Sequence, residues 1–363
     1  MKRFFPLPLY TFIKIASKSG GISFRGLKNL IPWIIKTVIF EPLRWIELLF
    51  NRKIKKHKIE KTPVFILGFY RSGTSFTHQL LTKDDRFGYH TNFQMVFPEI
   101  MLGSERFLAP FFNFICRLFN IQDPVHRKQL SFNDPGEEDA AMTTSLNPKG
   151  AQWGYFFPKI MKDHFDKYVL LDNISESEKE QWKKDFIFLQ KKISIASKGK
   201  QLVLKSPPNT ARVKILLSLY PDAKFVFIHR DPYEVFASNR RFLKVTKKIY
   251  ALGKNPSVDN DSNILDTYSK TMQRYLSEKD LIPEGQLIEI PYTELVQNPL
   301  ESVRKMYETL DLNDFSYVED KLKSYVAGQK SFVQLKHELS EAENKMITEK
   351  FEPFIKHWNY PLQ

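Results

Sequence analysis

Val64-Phe65-Ile66-Leu67-Gly68-Phe69-Tyr70-Arg71-Ser72-Gly73-Thr74-Ser75 is the stretch on which the fold turns. Its first four residues are apolar without alternation, the pattern of a strand buried on both faces of a parallel sheet. A glycine turn follows, and Phe76-Thr77-His78-Gln79-Leu80-Leu81 continues at helical spacing. Strand, glycine turn and hydroxyl-rich helix start make an anion cradle. Successive backbone N–H groups and the helix N-terminus point at the ligand, and Ser72, Thr74 and Ser75 add hydroxyl donors. The NTPase form of such a loop, G-x-x-x-x-G-K-[ST], carries a lysine where this chain has Thr74, and here the cation sits at Arg71 inside the loop. That displacement disfavours a kinase or NTPase.

A second unit of the same grammar lies downstream. Gln201-Leu202-Val203-Leu204 reads as a buried strand delivering Lys205-Ser206-Pro207-Pro208, after which Asn209 caps a helix through Leu219 that Pro221 ends. Lys224-Phe225-Val226-Phe227-Ile228-His229 is another strand, and Arg230-Asp231-Pro232 turns into a helix carrying Ser238. Strand, helix, strand at this spacing is a right-handed crossover, so the strands at 64, 202 and 224 end on one edge of a parallel sheet. Arg71, Lys205 and Arg230 converge there, a triple cation site suited to a polyanion.

These residues resemble a family. Gly68 to Ser75 looks like the 5′-phosphosulfate loop of the sulfotransferases that use 3′-phosphoadenosine 5′-phosphosulfate. The segment Phe227 to Ser238 is similar to their 3′-phosphate motif, whose Arg and Ser stand eight apart as Arg230 and Ser238 do. Lys205-Ser206-Pro207-Pro208 and Glu289-Ile290-Pro291-Tyr292-Thr293-Glu294-Leu295-Val296 echo further segments, and the bacterial branch is the nearest in pattern. The resemblance covers residues 62 to 312 in pieces. It implies a P-loop-like parallel sheet of about five strands flanked by helices, and sulfuryl transfer from 3′-phosphoadenosine 5′-phosphosulfate to an acceptor hydroxyl or amine. Arg71, Ser72, Gly73, Thr74, Ser75, Arg230 and Ser238 are then expected to bind the nucleotide. Arg71 and Lys205 are expected to stabilise charge that develops on the transferred group. No metal is required by such a reaction, and none of the eight histidines has a close zinc-type partner. A nucleoside-phosphate kinase and a membrane-bound relative without turnover are the alternatives.

The acceptor's proton needs a base, and here the chain departs from the family's patterns. Pro207 stands where cytosolic relatives place a histidine, and Tyr89-His90-Thr91-Asn92 where other branches place a glutamate. The candidates are Glu137 and Glu138, with Asp139 beside them in an acidic cluster entering an apolar helix, and His90. A carboxylate there also serves as a helix cap or dipole partner. An aromatic such as Trp153 is a candidate to stack on adenine, and Lys330, Ser331 and Lys336 lie in a late basic segment. His78 packs along the loop helix or faces out, and His229 reads as a structural strand end.

The chain has 363 residues, 42% hydrophobic and 26% charged, which excludes a disordered or fibrous protein. Its net charge of +14 is uneven: residues 1–61 hold 14 Lys and Arg against 3 Asp and Glu. The remainder is nearly balanced, so no nucleic-acid-binding body is expected. Residues 1–61 read as a basic amphipathic arm, 62–363 as the α/β domain, and 83–200 as an inserted helical cap for the acceptor. The arm is rich in large apolar residues, Trp33 and Trp45 among them, but no uncharged run reaches the ~20 residues a spanning helix needs. Two readings stand: an interfacial element on an anionic membrane, or helices packed on the body. Phe107, Phe111, Phe112, Phe114, Phe119, Phe156 and Phe157 read as core or as an apolar acceptor pocket, which with the arm suggests a small-molecule or lipid-like acceptor. A lone cysteine, Cys116, and the absence of a recognisable signal place the expected home in the cytoplasm, peripheral on the inner membrane face.

Overall fold

The computed structural model describes residues 7–123, 128–144, 149–254, 259–329 and 339–363. Lys330, Ser331 and Lys336 lie outside these, as does the side chain of Trp33. In chain order the first half runs α1 (Leu7–Lys18), α2 (Leu27–Ile39), α3 (Glu41–Leu48), α4 (Asn51–Lys56), β1 (Val64–Leu67), α5 (Thr74–Leu81), β2 (Phe87–Tyr89), α6 (Asn92–Val96), α7 (Met101–Leu118), α8 (Glu138–Thr144), α9 (Trp153–Phe156), α10 (Met161–Tyr168) and α11 (Glu176–Ala196). The second half runs β3 (Gln201–Lys205), α12 (Val213–Leu219), β4 (Lys224–His229), α13 (Pro232–Tyr250), α14 (Asn260–Glu278), β5 (Leu287–Pro291), α15 (Tyr292–Gln297), α16 (Pro299–Thr309), α17 (Ser316–Gly328) and α18 (Glu341–His357).

The chain divides into two compact units, neither of them contiguous. A sheet unit comprises residues 61–88, 200–241 and 260–363, and a helical unit comprises 1–60, 89–199 and 242–259. The five strands are ordered β2-β3-β1-β4-β5, with β1 parallel to β3 and β4, and β4 parallel to β5. The expected parallel α/β sheet is therefore the observed one. All four β1 residues are buried, which is why the strand lacks alternation. Phe65 lies level with Leu204 and Phe225 and stacks on the Phe225 ring at 5.8 Å. One local expectation fails: Asn209 does not cap a helix. Pro207–Ala211 forms a tight 3₁₀ turn, Asn209 is fully buried inside it, and α12 starts only at Val213. The Asn209 side chain is engaged by Arg212, whose Nη1 donates to Asn209 Oδ1 at 3.3 Å.

In the helical unit, Phe12, Trp153, Phe157 and Leu252 share one apolar cluster. Phe93, Phe97, Ile100 and Ala109 share another, which Phe40, Leu43 and Phe112 flank. Within this unit α2 and α3 are also tied down by charge. Glu47 accepts the amide N–H groups of Leu102 and Gly103 at 3.1 and 2.8 Å and pairs with Lys192 at 2.7 Å. Lys36 and Arg44 both reach Glu99 at 3.3 Å.

Candidate active site

The loop after β1 is held open by contacts the backbone alone could not make. Gly68 at φ 141° has no room for a side chain, because a Cβ would stand 2.5 Å from the Ile228 carbonyl oxygen. Its N–H donates to Thr210 Oγ1 at 2.8 Å, and the Thr210 hydroxyl returns a bond to the Gly68 carbonyl at 3.0 Å. Asn239 Nδ2 donates to the Tyr70 carbonyl at 2.9 Å. Arg71 takes the left-handed conformation, φ 70°, unusual for a residue with a Cβ. Gly73, at φ 102°, precedes α5 without a side-chain cap, leaving the first amides of that helix to face the loop.

The cations gather around this loop, all within the sheet unit. Lys205, 4% exposed at the end of β3, donates to Ser75 Oγ at 3.3 Å. Arg230, at the end of β4, donates from Nε to Glu234 at 2.8 Å and from Nη1 to the Arg71 carbonyl at 3.1 Å. Its guanidinium lies 4.5 Å from the Tyr292 ring centroid. The same ring closes the far side of the loop, since a Cβ on Gly73 would come within 2.4 Å of it. Arg71 Nε meets Ser238 Oγ at 3.2 Å. Arg71, Ser72, Gly73, Thr74, Ser75, Lys205, Arg230 and Ser238 are thus brought together. The Arg71 side chain joins the loop to α13. Thr210, Asn239 and Tyr292 hold the cradle without a cue of their own in the loop motif, although Tyr292 stands in the quoted Glu289 to Val296 segment.

Two histidines are structural. His78 is buried with Nε2 at 3.2 Å from the Val203 carbonyl. His229 lies beside Phe227 with Trp358 stacked on both rings, meets Tyr360 Oη at 2.9 Å, and burial pulls it down to about 4.

The base candidates form a separate cluster inside the helical unit. Gly136 N–H donates to the His90 carbonyl at 2.7 Å, bringing His90 beside Glu137. His90 is wholly buried, and burial lowers it to about 3. Glu137 is half-buried and accepts from Gln152 at 3.5 Å, whereas Glu138 is fully buried. Asp139 accepts the Ala151 N–H at 3.0 Å, a structural tie. Trp153 is 2% exposed and packed against Phe157 and Phe12, so it presents no face to a base; it is core.

The profile of the sulfotransferase family matches residues 63–316, about seven-tenths of the chain. The chain belongs to that family. As a sulfotransferase it has curated relatives in Mycobacterium bovis and Mycobacterium tuberculosis, both named omega-hydroxy-beta-dihydromenaquinone-9 sulfotransferase Stf3. They are 27% identical over 318 residues, which is 87% of this chain and 80% of theirs. The crystal structure of sulfotransferase STF9 from Mycobacterium avium superposes with a TM-score of 0.71 at 17% identity, covering 94% of this chain and 88% of that one. STF1 from Mycobacterium tuberculosis gives 0.69 at 17% identity, over 95% and 91%. These two establish a shared fold. Among the described residues of this sulfotransferase, no helix is long and apolar enough to cross a membrane.

Proposed function

We propose that this sulfotransferase moves a sulfuryl group from 3′-phosphoadenosine 5′-phosphosulfate to a hydroxyl or amine of an apolar, lipid-like acceptor. The observation that carries the donor is the meeting of Arg71, Lys205, Arg230 and Ser238 around one glycine loop. In this reading the amides of residues 72–75, Arg71 and Lys205 hold the 5′ end and stabilise charge on the bridging and sulfonate oxygens as the acceptor oxygen bonds to sulfur. Arg230 and Ser238 clasp the 3′-phosphate, and Glu137 or Glu138, or else His90, takes the acceptor's proton. Support for a lipid-like acceptor comes from the Stf3 relatives, whose name specifies a hydroxylated dihydromenaquinone. The acceptor side is assigned to the helical segment 83–200. The basic arm, residues 1–61, is proposed to hold the enzyme peripherally on an anionic membrane face on the cytoplasmic side.

Calorimetric titration tests the donor. 3′-Phosphoadenosine 5′-phosphate should bind at least ~10-fold more tightly than adenosine 5′-phosphate, and Arg230→Ala should erase the difference at a cost of about 2 to 5 kcal/mol. ATP with magnesium should gain nothing. Indifference of the wild type to the 3′-phosphate would sink the reading and favour a kinase.

A further inference from the structure

Two of the arm helices, α2 and α3, are inside out. On α2, Lys36 is buried and paired with Glu99, while Ile31, Ile34, Ile35, Val38 and Ile39 are exposed. On α3, Arg44 and Glu47 are buried, while Trp45, Ile46, Leu48 and, just past its end, Leu49 are exposed; the exposures run from 44% to 79%. A surface helix facing water has the opposite arrangement, with its charged stripe outward. Placing charge inward and branched aliphatics outward is the arrangement for an apolar surrounding.

A third helix, from mid-chain, continues the face. Phe107, Phe111, Phe114 and Leu118 on α7 recur at spacings of four, three and four, one stripe of the helix, and are 55% to 71% exposed. The opposite side of α7 packs inward through Ala109 and Cys116. These phenylalanines are therefore neither core nor the lining of a closed pocket. The stripes adjoin, because α7 packs on α3: Ile46 Cγ2 is 3.3 Å from a Cβ built on Gly103, and the Phe40 and Phe112 rings meet at 6.2 Å.

The rim of this face has a single sign. Every exposed charge from residue 24 to 58 is basic, including Arg52, Lys53, Lys55 and Lys56 on α4. The exposed charges of α7 are Arg106 and Arg117. The three acidic residues, Glu41, Glu47 and Glu105, are half-buried or buried and engaged internally.

We infer that α2, α3 and α7 form one monotopic membrane-docking face, bedded at the acyl boundary of an anionic bilayer with α4, Arg106 and Arg117 at the headgroups. A second copy of the chain fits less well, because it would set two basic rims against each other, whereas anionic lipid complements them. The inference rests on the arm reading above and adds α7 to it.

Co-sedimentation of the full chain with vesicles of phosphatidylcholine and phosphatidylglycerol tests it, against phosphatidylcholine alone. Two variants are compared, F107S/F111S/F114S on α7 and I34S/I35S/V38S on α2, with F111D as a single-site alternative. Binding of 3′-phosphoadenosine 5′-phosphate at the wild-type level reports that each variant is folded and keeps the sulfotransferase reading separate. The α7 variant should partition at least ~10-fold less, as should the α2 variant, and wild-type binding should weaken with salt. Trp45 fluorescence should shift to the blue on wild-type binding. Loss in the α2 variant alone leaves the arm as anchor and overturns the inference; wild-type binding in both overturns both readings. A vesicle-independent dimer that the α7 substitutions abolish assigns the face to self-association and overturns it too.

Discussion

His90 and Glu137 illustrate how burial divides candidates that sequence alone leaves equal. An imidazole held near 3 remains neutral at physiological pH but is a weak proton acceptor. Asp139 is occupied by the Ala151 N–H. We therefore expect Glu137→Gln or Glu138→Gln to lower turnover ~10²-fold or more with binding of 3′-phosphoadenosine 5′-phosphate intact, and His90→Asn to change it little. Single-turnover assays with labelled donor decide. The reverse pattern would transfer the role to His90. That the loop, Lys205, Arg230 and Ser238 come together was legible because loop and helix motifs keep fixed spacing. Thr210, Asn239 and Tyr292 were harder to read because their contribution depends on where β1, β3 and β5 deliver them, not on their neighbours in sequence.

Helices α2 and α3 are attached by buried ion pairs in addition to apolar contacts, and this has an energetic signature. Glu99 lies at 3.3 Å from both Lys36 and Arg44, all three nearly excluded from water, and burial pulls the Lys36 ammonium below its ordinary range even with Glu99 beside it. Glu99→Gln removes the shared counter-charge and should cost about 3 to 5 kcal/mol in urea unfolding, because two cations stay buried. Lys356→Ala, which breaks the exposed pair with Glu352, should stay within about 0.5 kcal/mol. A midpoint for Glu99→Gln equal to the wild type's would show that the cluster contributes nothing to stability. Apolar periodicity identified these helices but not their orientation: a wide apolar face looks the same whether it meets a core or a bilayer. Asn209 fell outside the rules because it is buried within a 3₁₀ turn and its side-chain oxygen accepts from Arg212.

Across the whole protein, stability should depend on pH through neutral histidines. Burial lowers His90 to about 3, and His164 and His229 to about 4, all beneath the 6.5 of an unfolded chain. Above pH 6.5 neither state is protonated at these sites and their stability is fully present. As pH falls below 6.5 the unfolded chain takes up protons that the fold refuses, so stability declines until the folded values are reached. The slope is roughly 1.4 kcal/mol per pH unit for a fully buried imidazole such as His90. Urea midpoints should therefore fall between pH 6.5 and 5, before most carboxylates titrate, and His90→Gln should flatten that decline. A flat profile would show the rings to be hydrated. The parallel sheet itself was readable from unalternating strands and their shared edge; the division into two discontinuous units was not, since of its crossing points only those at residues 60 and 259 fall at a composition change or a polar stretch, and those at 88 and 241 carry no such mark. The position of β1 has one more consequence. It is first in the chain yet central in the sheet, and Val64 pairs with Val203 and Lys224. During synthesis it waits about 140 residues for its first neighbour, on the order of 10 s at translational speed. Throughout that interval the nascent chain displays both an unpaired apolar strand and an outward-facing isoleucine helix, so the ribosome-bound state is this enzyme's most aggregation-prone moment.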